Sequence, residues 1–372
     1  MKAITIGGAT IDTIAIIDSA HIERMSMRNA ESSFLLLEEG QKTEALEVAA
    51  HCGGGAANAA VAFARLGFET AALVKLGEDQ RAKAILERFA SEGISSAFVR
   101  RDPKRPTGAS VLISSHERDA AIFTFRGANT SLEEADFSDD AFARDLVYVS
   151  NLSNRSAECF PGILARAKAK GALIAANPGV RQLAAYTEAF IKGLPEIHIL
   201  TLNRAEAAVL VAPLARAFGE GDPLPSTPSV NGWSHDNEAM PRLARRGLSG
   251  GGFAMSLKAF FAAILKIGTQ TAVITDGDQG AYAARGNEIH YCPATATRDI
   301  AGTAGAGDAF ASTFAAFAAD SNTIDVALRA ASLNAASVLT HVDTQSGLLP
   351  LAAILSRLEE SRGQPNGLCW RL

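Results

Sequence analysis

The chain is predicted to be an α/β protein: a mostly parallel central sheet flanked by helices on both faces, with a small extra β element. Three observations carry this. Short, near-continuous apolar runs alternate with helical patterns through most of the 372 residues, the rhythm of a parallel sheet buried on both sides. Glycine-rich turns stand between an apolar run and a helical pattern. Two stretches of β-prone alternation interrupt the rhythm and read as strands outside the main sheet.

In chain order, apolar runs predict strands at 3–6, 71–76, 146–150, 173–176, 198–202 and 272–275. Spacing of three and four predicts helices at 56–66, 81–92, 161–170, 206–211, 257–265, 308–319 and 324–339. Ligands of such sheets sit at the carboxyl ends of the strands. The interrupting stretches are about 13–48 and 109–126, where Ser110-Val111-Leu112-Ile113 and Ala121-Ile122-Phe123-Thr124-Phe125 alternate. Residues from about 212 to 252 are rich in Pro, Gly and Ser and read as an irregular insertion. Only Trp233 and the Arg242, Arg245, Arg246 cluster stand out there. The whole is read as one domain.

Composition narrows the function. With 48% hydrophobic and 20% charged residues and a net charge of -5, the chain can build a large core and has no basic surface for nucleic acid. No apolar run reaches the ~18 to 20 residues that span a bilayer. Asp12 inside the first apolar stretch argues against a leader peptide. The scattered cysteines, Cys52, Cys159, Cys292 and Cys369, form no CxxC pair and read as reduced thiols of a cytoplasmic protein.

The most informative segment is Gly302-Thr303-Ala304-Gly305-Ala306-Gly307-Asp308. Small residues run straight into an apolar helix, so backbone can approach a ligand closely, and the helix's first N–H groups have no intrahelical partner. This is a place for an anion. An acid at a helix start also serves as a plain cap, so Asp308 alone decides nothing. A second such unit, Gly53-Gly54-Gly55-Ala56-Ala57-Asn58, precedes another apolar helix, with Asn58 suited to hydroxyl recognition. Asp12, after the Gly7-Gly8 turn, offers a carboxylate to two sugar hydroxyls. Asn203 with Glu206 follows a strand in the spacing of a capping box, which by itself needs no function. Thr275-Asp276-Gly277 ends a further strand with a turn.

Taken in this order, these segments resemble the ribokinase-like (PfkB) carbohydrate kinase family over nearly the whole chain. The resemblance implies a three-layer sandwich with a β lid from the two interrupting stretches. It implies transfer of the ATP γ-phosphoryl group to a hydroxymethyl group of a monosaccharide. Asp308 would be the general base, and the amides of Gly305, Ala306 and Gly307 an anion hole. Asp12, Gly53, Gly54 and Asn58 would hold the sugar, with Arg126 at the lid junction contacting substrate or phosphate. Asn203, Thr275, Gly277 and Thr303 would serve the nucleotide, with Asn334 near the adenine and Glu206 holding Mg²⁺ through water. A homodimer through the lid is implied too. Gly302, where the family often has an acid, and Thr344, where it has a glycine, count against a monovalent-cation requirement. Gly55 and Thr10 also depart from the ribokinase pattern, so ribose is not specified.

A nucleoside kinase of the same family is the near alternative, with Phe34, Phe123 and Phe125 as candidates to stack a base. A non-catalytic sugar-binding descendant is the alternative of another class; Asp308 and Glu206 argue against it, because binding needs neither. Gly247-Leu248-Ser249-Gly250-Gly251 matches a hydrolase elbow formally, but no apolar strand leads into it. No G-x-x-x-x-G-K-S/T, G-x-G-x-x-G, HExxH or cysteine-pair motif is present. The Asn-x-Ser sequons at Asn129, Asn151 and Asn154 are read as meaningless in a cytoplasmic chain.

Overall fold

A computed structural model describes residues 1–18, 23–26, 33–36, 40, 42–114, 121–224, 240–361 and 367–372. Its main sheet has ten strands. From edge to edge they are Leu368–Arg371, Glu288–Cys292, Ala281–Arg285, Thr271–Thr275, Ile199–Asn203, Leu173–Ala176, Leu146–Val149, Lys2–Gly7, Glu69–Gly77 and Arg100–Asp102. From Thr271–Thr275 to Arg100–Asp102 neighbours pair in parallel. The remaining three pairings, toward Leu368–Arg371, are antiparallel. The six strands and seven helices expected from the apolar spacing are all present; their bounds agree within two residues except for the helix expected at 206–211, which runs Arg204–Phe218.

Alternation along each strand builds two cores. Ile4, Val147, Ile174, Leu200 and Ile274 face one helical layer, with Ile163, Leu210, Phe260 and Phe261. Ala3, Tyr148, Ala175, Ile199 and Val273 face the other, with Phe63, Phe310, Phe314 and Leu328. The second layer includes the helices Gly55–Arg65, Ala306–Ala319 and Ile324–Leu339. Alanine dominates their buried positions, which lets their axes approach closely. This layer carries the two glycine-rich helix starts.

The two interrupting stretches form a separate four-stranded sheet, in the order Ala45–Gly53, Thr10–Ile17, Gly108–Ser114, Ala121–Phe125. Asp12, Ser110 and Thr124 are register partners and share one face. On that same face Ile14, Ile16 and Leu112 pack with Ala304 and Val342 beside the glycine turn. Phe123 and Phe125 alternate to the opposite face and are exposed. They therefore do not stand over Asp12; the side chain of Phe34 lies outside the described residues.

The irregular stretch is narrower than the expected 212–252. The helix Arg204–Phe218 continues through Pro213. Arg242, Arg245 and Arg246 lie on a short helix, Arg242–Arg246, followed by a hairpin of Leu248–Gly250 and Phe253–Met255. Local propensity missed this because both pieces are held by packing: Leu243, Leu248 and Met255 join the main core. Ser249 is the middle residue of the strand Leu248–Gly250, paired with Ala254, and not at a strand-to-helix elbow. Trp233 lies outside the described residues. Among the described residues no helix is long and apolar enough to cross a membrane.

Phe63 is wholly buried, with its ring centroid 5.4 Å from those of both Tyr148 and Phe68. Phe63→Ala is expected to lower stability by ~3–5 kcal/mol in urea unfolding, the usual cost of an aromatic cavity. A loss below about 1 kcal/mol would show that this layer does not hold the fold.

Candidate active site

At the carboxyl end of the parallel strands, the two glycine-rich helix starts meet. Gly305 precedes the helix Ala306–Ala319 with φ 82, a left-handed conformation natural to glycine. A Cβ there would lie 2.6 Å from the Cβ of Thr344, so only glycine lets the turn close onto that loop. One turn on, Asp308 points back toward the other helix. Asn58 Nδ2 donates to Asp308 Oδ2 at 2.8 Å. The Asn58 carbonyl is engaged in turn, accepting from Thr344 Oγ1 at 2.9 Å and Gln345 Nε2 at 3.0 Å. Both acceptor bonds point the amide's NH₂ at Asp308. A Cβ on Gly55 would stand 3.3 Å from Asp308 Oδ1 and 2.1 Å from Ser150 Oγ. Gly55 is therefore a close-approach position.

On one side of Asp308 lies a cavity of about 130 Å³. Gly307, Asp308, Asn203, Glu206 and Thr275, all expected from the sequence, line it. Asn203 and Glu206 form a true capping box: Asn203 Oδ1 accepts from the Glu206 amide at 2.9 Å, and Glu206 Oε2 from the Asn203 amide at 2.8 Å. The structural and the chemical readings of this pair are therefore both served, since the same carboxylate also faces the cavity. Burial pushes Glu206 up to about 7, against the hydrogen bonds from Asn203 and aided by the Asp308 charge. Burial likewise raises Asp308; the Asn58 bond opposes this, and the Asp12 charge adds to it. Two carboxylates and several oxygen donors facing one cavity suit a hard divalent cation.

Asp12 lies beyond Asp308, on the second sheet. Its Oδ1 accepts from Thr10 Oγ1 at 2.9 Å and from Ser110 Oγ. Burial raises its pKa above the ordinary carboxylate value, against those hydroxyl bonds. A Cβ on Gly53 would stand 1.9 Å from Asp12 Oδ2, so the glycine makes room for that carboxylate. Gly54 turns with its backbone against Gly8, whose carbonyl accepts from the Ala56 amide at 3.0 Å.

Other expected positions differ. Asn334 is wholly buried, donating to Thr313 Oγ1 at 2.7 Å and accepting from the Leu349 amide at 2.8 Å. Helical spacing could not tell an inward amide from an outward one. Asn58 is buried, with Nδ2 donating to Asp308 and Oδ1 accepting from Thr344 and Gln345, so it orients the acid. Arg126 Nη1 donates to Ser153 Oγ at 2.7 Å, and Asn129 clamps the backbone of Ala9. Thr303 is exposed before the helix start, and Gly277 lies in a turn beyond Thr275 with open space around it.

Several site residues escaped sequence reading. Asn151 and Asn177 line the cavity, and Asn177 Nδ2 donates to the Thr201 carbonyl at 3.0 Å. Asn177 directly follows the strand Leu173–Ala176 and Asn151 stands two residues past Leu146–Val149, and such strand ends are the signal that would have found them. Reading Asn151 only as a sequon overlooked that position. Gln345 lies in a loop with no pattern, and nothing local marks it; Thr344, read from the sequence only for its bearing on a monovalent cation, donates to the Asn58 carbonyl.

A doubly covered parallel sheet with glycine-lined helix starts and converging carboxylates defines a phosphate-handling α/β enzyme. The chain belongs to the pfkB family of carbohydrate kinases, whose model matches residues 12–216 and 255–351, and it is an ATP-dependent carbohydrate kinase. It is 26% identical over 343 residues to a deoxyribokinase of Salmonella typhi, covering 90% of this chain and 94% of that one. It is 27% identical over 289 residues to a ribokinase of Staphylococcus aureus (strain COL), covering 75% and 76%. A putative ribokinase II of E. coli in complex with ATP and Mg²⁺ superposes with a TM-score of 0.72 at 16% identity, over 96% of this chain and 99% of that one. An Arabidopsis thaliana ribokinase complexed with ribose and ATP gives 0.68 at 18%, over 96% and 98%.

Glu206 ties the cavity to pH. Its folded value, about 7, lies above the ordinary 4.5, so the folded state holds the proton more tightly. The associated stability is present below pH 4.5 and is lost as pH rises through 7. Glu206→Gln keeps the cap, since its amide oxygen still accepts. It is expected to remove up to ~3 kcal/mol of this pH dependence in urea unfolding of the ligand-free protein. Parallel curves for both proteins from pH 4.5 to 8 would rule out a buried, cavity-facing carboxylate.

Proposed function

We propose that the protein transfers the ATP γ-phosphoryl group in line to a hydroxymethyl group of a free monosaccharide, with Asp308 as general base. The observation carrying this is the position of Asp308: first turn of a glycine-started helix, cavity on one side, Asp12 on the other. Asn58 holds Asp308 Oδ2, leaving Oδ1 to take the proton as the sugar oxygen bonds to phosphorus and the ADP oxygen departs. The amides of Gly305, Ala306 and Gly307 begin the helix without carbonyl partners of their own. They supply positive ends where charge develops on the transferring group. Because that transition state is loose, positioning and charge stabilisation count more than base strength. Asn203, Thr275, Gly277 and Thr303 lie on the nucleotide side. Glu206 and Asn203 would hold Mg²⁺, Glu206 through water; the ion would neutralise phosphate charge.

Asp12 would accept hydrogen bonds from sugar hydroxyls, with Gly53 and Gly54 at its back and Arg126 at the rim. The relatives named deoxyribokinase and ribokinase favour a pentose as acceptor. The nucleoside alternative loses support, because the face bearing Asp12 presents Thr124 while Phe123 and Phe125 point away. The second sheet would serve as a lid: Ile14, Ile16 and Leu112 already pack on the loops flanking the glycine turn, and closure excludes water from the phosphoryl group.

The outer face of that sheet exposes Val48, Val111, Phe123 and Phe125. A contiguous apolar patch on a sheet invites a partner, and a second copy would cover it. Two measurements test this reading. Asp308→Asn is expected to lower ATP turnover with sugars at least ~10²-fold while leaving sugar binding in place; undiminished turnover, or preference for nucleosides over pentoses, removes the reading. Phe123→Asp is expected to shift the sedimenting species from dimer to monomer, whereas a wild type already monomeric at micromolar concentration excludes the pairing.

A further inference from the structure

At the antiparallel edge of the main sheet, His290 stands directly opposite Cys369, on the paired strands Glu288–Cys292 and Leu368–Arg371. Residues two apart on a strand share a face, so Glu288 joins His290 there, and a cross-strand partner is only about 4.5–5.5 Å away. Backbone geometry thus brings a carboxylate, an imidazole and a thiol together. One ligand atom from each of Glu288, His290 and Cys369 lies within 4.8 Å of the others, the one such group among the described residues.

The spacing fits an ion. His290 Nε2 and Glu288 Oε2 are 3.3 Å apart, roughly the separation of two donors each ~2.0–2.1 Å from one tetrahedral centre. His290 Nδ1 lies 2.8 Å from Asp325 Oδ1, at the start of the helix Ile324–Leu339. A carboxylate behind a histidine fixes the tautomer that turns Nε2 outward, the usual outer support of a ligating imidazole. A carboxylate and a thiolate together balance a divalent charge, and a sulfur–nitrogen–oxygen set selects a softer ion than Mg²⁺.

We propose that Glu288, His290 and Cys369 bind one borderline-soft divalent cation, Zn²⁺ by donor type, with a fourth position left to water. The ion would clasp the final strand, which carries the buried Trp370, to its neighbour. Nearby positive charge comes from Arg371, opposite Glu288 in register, and Arg329, whose charge acts on Asp325. Ligation needs a thiolate and a neutral imidazole, so binding releases protons.

Co²⁺ is the probe for a titration of the full chain in zinc-free buffer. One ion per chain is expected, with a thiolate-to-metal absorption band that Zn²⁺ abolishes by displacement. Cys369→Ser should lose the band, and Asp325→Asn should keep it with affinity weakened ~10–100-fold. Circular dichroism without metal checks that both variants fold. Should Cys369→Ser not fold, Glu288→Gln serves, expected to keep the band at weakened affinity. Failure of the wild type to take up a stoichiometric ion overturns the proposal. So does a Cys369→Ser spectrum like the wild type's, or Glu288→Gln affinity like the wild type's.

Discussion

Asn58 and Asp308 are separated by 250 positions, yet one amide proton joins them across 2.8 Å. Around that bond the rest of the site is arranged. Each residue belongs to the first turn of a helix that begins on glycine, and each helix packs on the same face of the main sheet. The bond is itself constrained. Thr344 and Gln345 occupy the Asn58 carbonyl, and Gln345 accepts in turn from Arg88 Nε at 3.0 Å. A buried network of this kind is costly when half-satisfied and specific when complete. Here it fixes which end of an amide meets the acid.

Electrostatics explains why such support is needed. Asp12, Asp308 and Glu206 are all held above their ordinary values chiefly by burial; the Asp12 charge adds to this at Asp308, and the Asp308 charge at Glu206. Carboxylates gathered this closely store unfavourable charge in the ligand-free protein. The helix-start amides are the natural counterweight, and a divalent cation bound in the cavity would be another. A protein of net negative charge can therefore handle phosphates by local dipoles, without a basic surface.

The sheet divides labour by strand direction. Its parallel part, joined by helical crossovers, gathers loop ends at one rim and so hosts the cavity. Its antiparallel edge, joined by short turns after Thr275 and Arg285, instead places alternate side chains of neighbouring strands in register. That register brings Glu288, His290 and Cys369 together, though no spacing in the chain hints at it.

Apolar periodicity alone was enough to specify the alternating elements and the parallel sheet, because a strand buried on both faces and a one-sided helix leave different spacings. The glycine runs before Asp308 and Asn58 were equally legible, since backbone that must approach a ligand can tolerate no side chain. What chain order could not decide was direction. Asn334 and Asn58 both sit on helices with polar amides; folding turned the first wholly inward to Thr313 and gave the second to Asp308. Phe123 and Phe125 have the chemistry to stack a base, but strand register puts Thr124 on the face bearing Asp12 instead. Asn151 and Asn177 are marked only by standing at strand ends, and Gln345 by nothing local, because their places depend on where strands end and loops meet. Periodicity records which face a residue occupies on its own element; only packing between elements decides what that face meets.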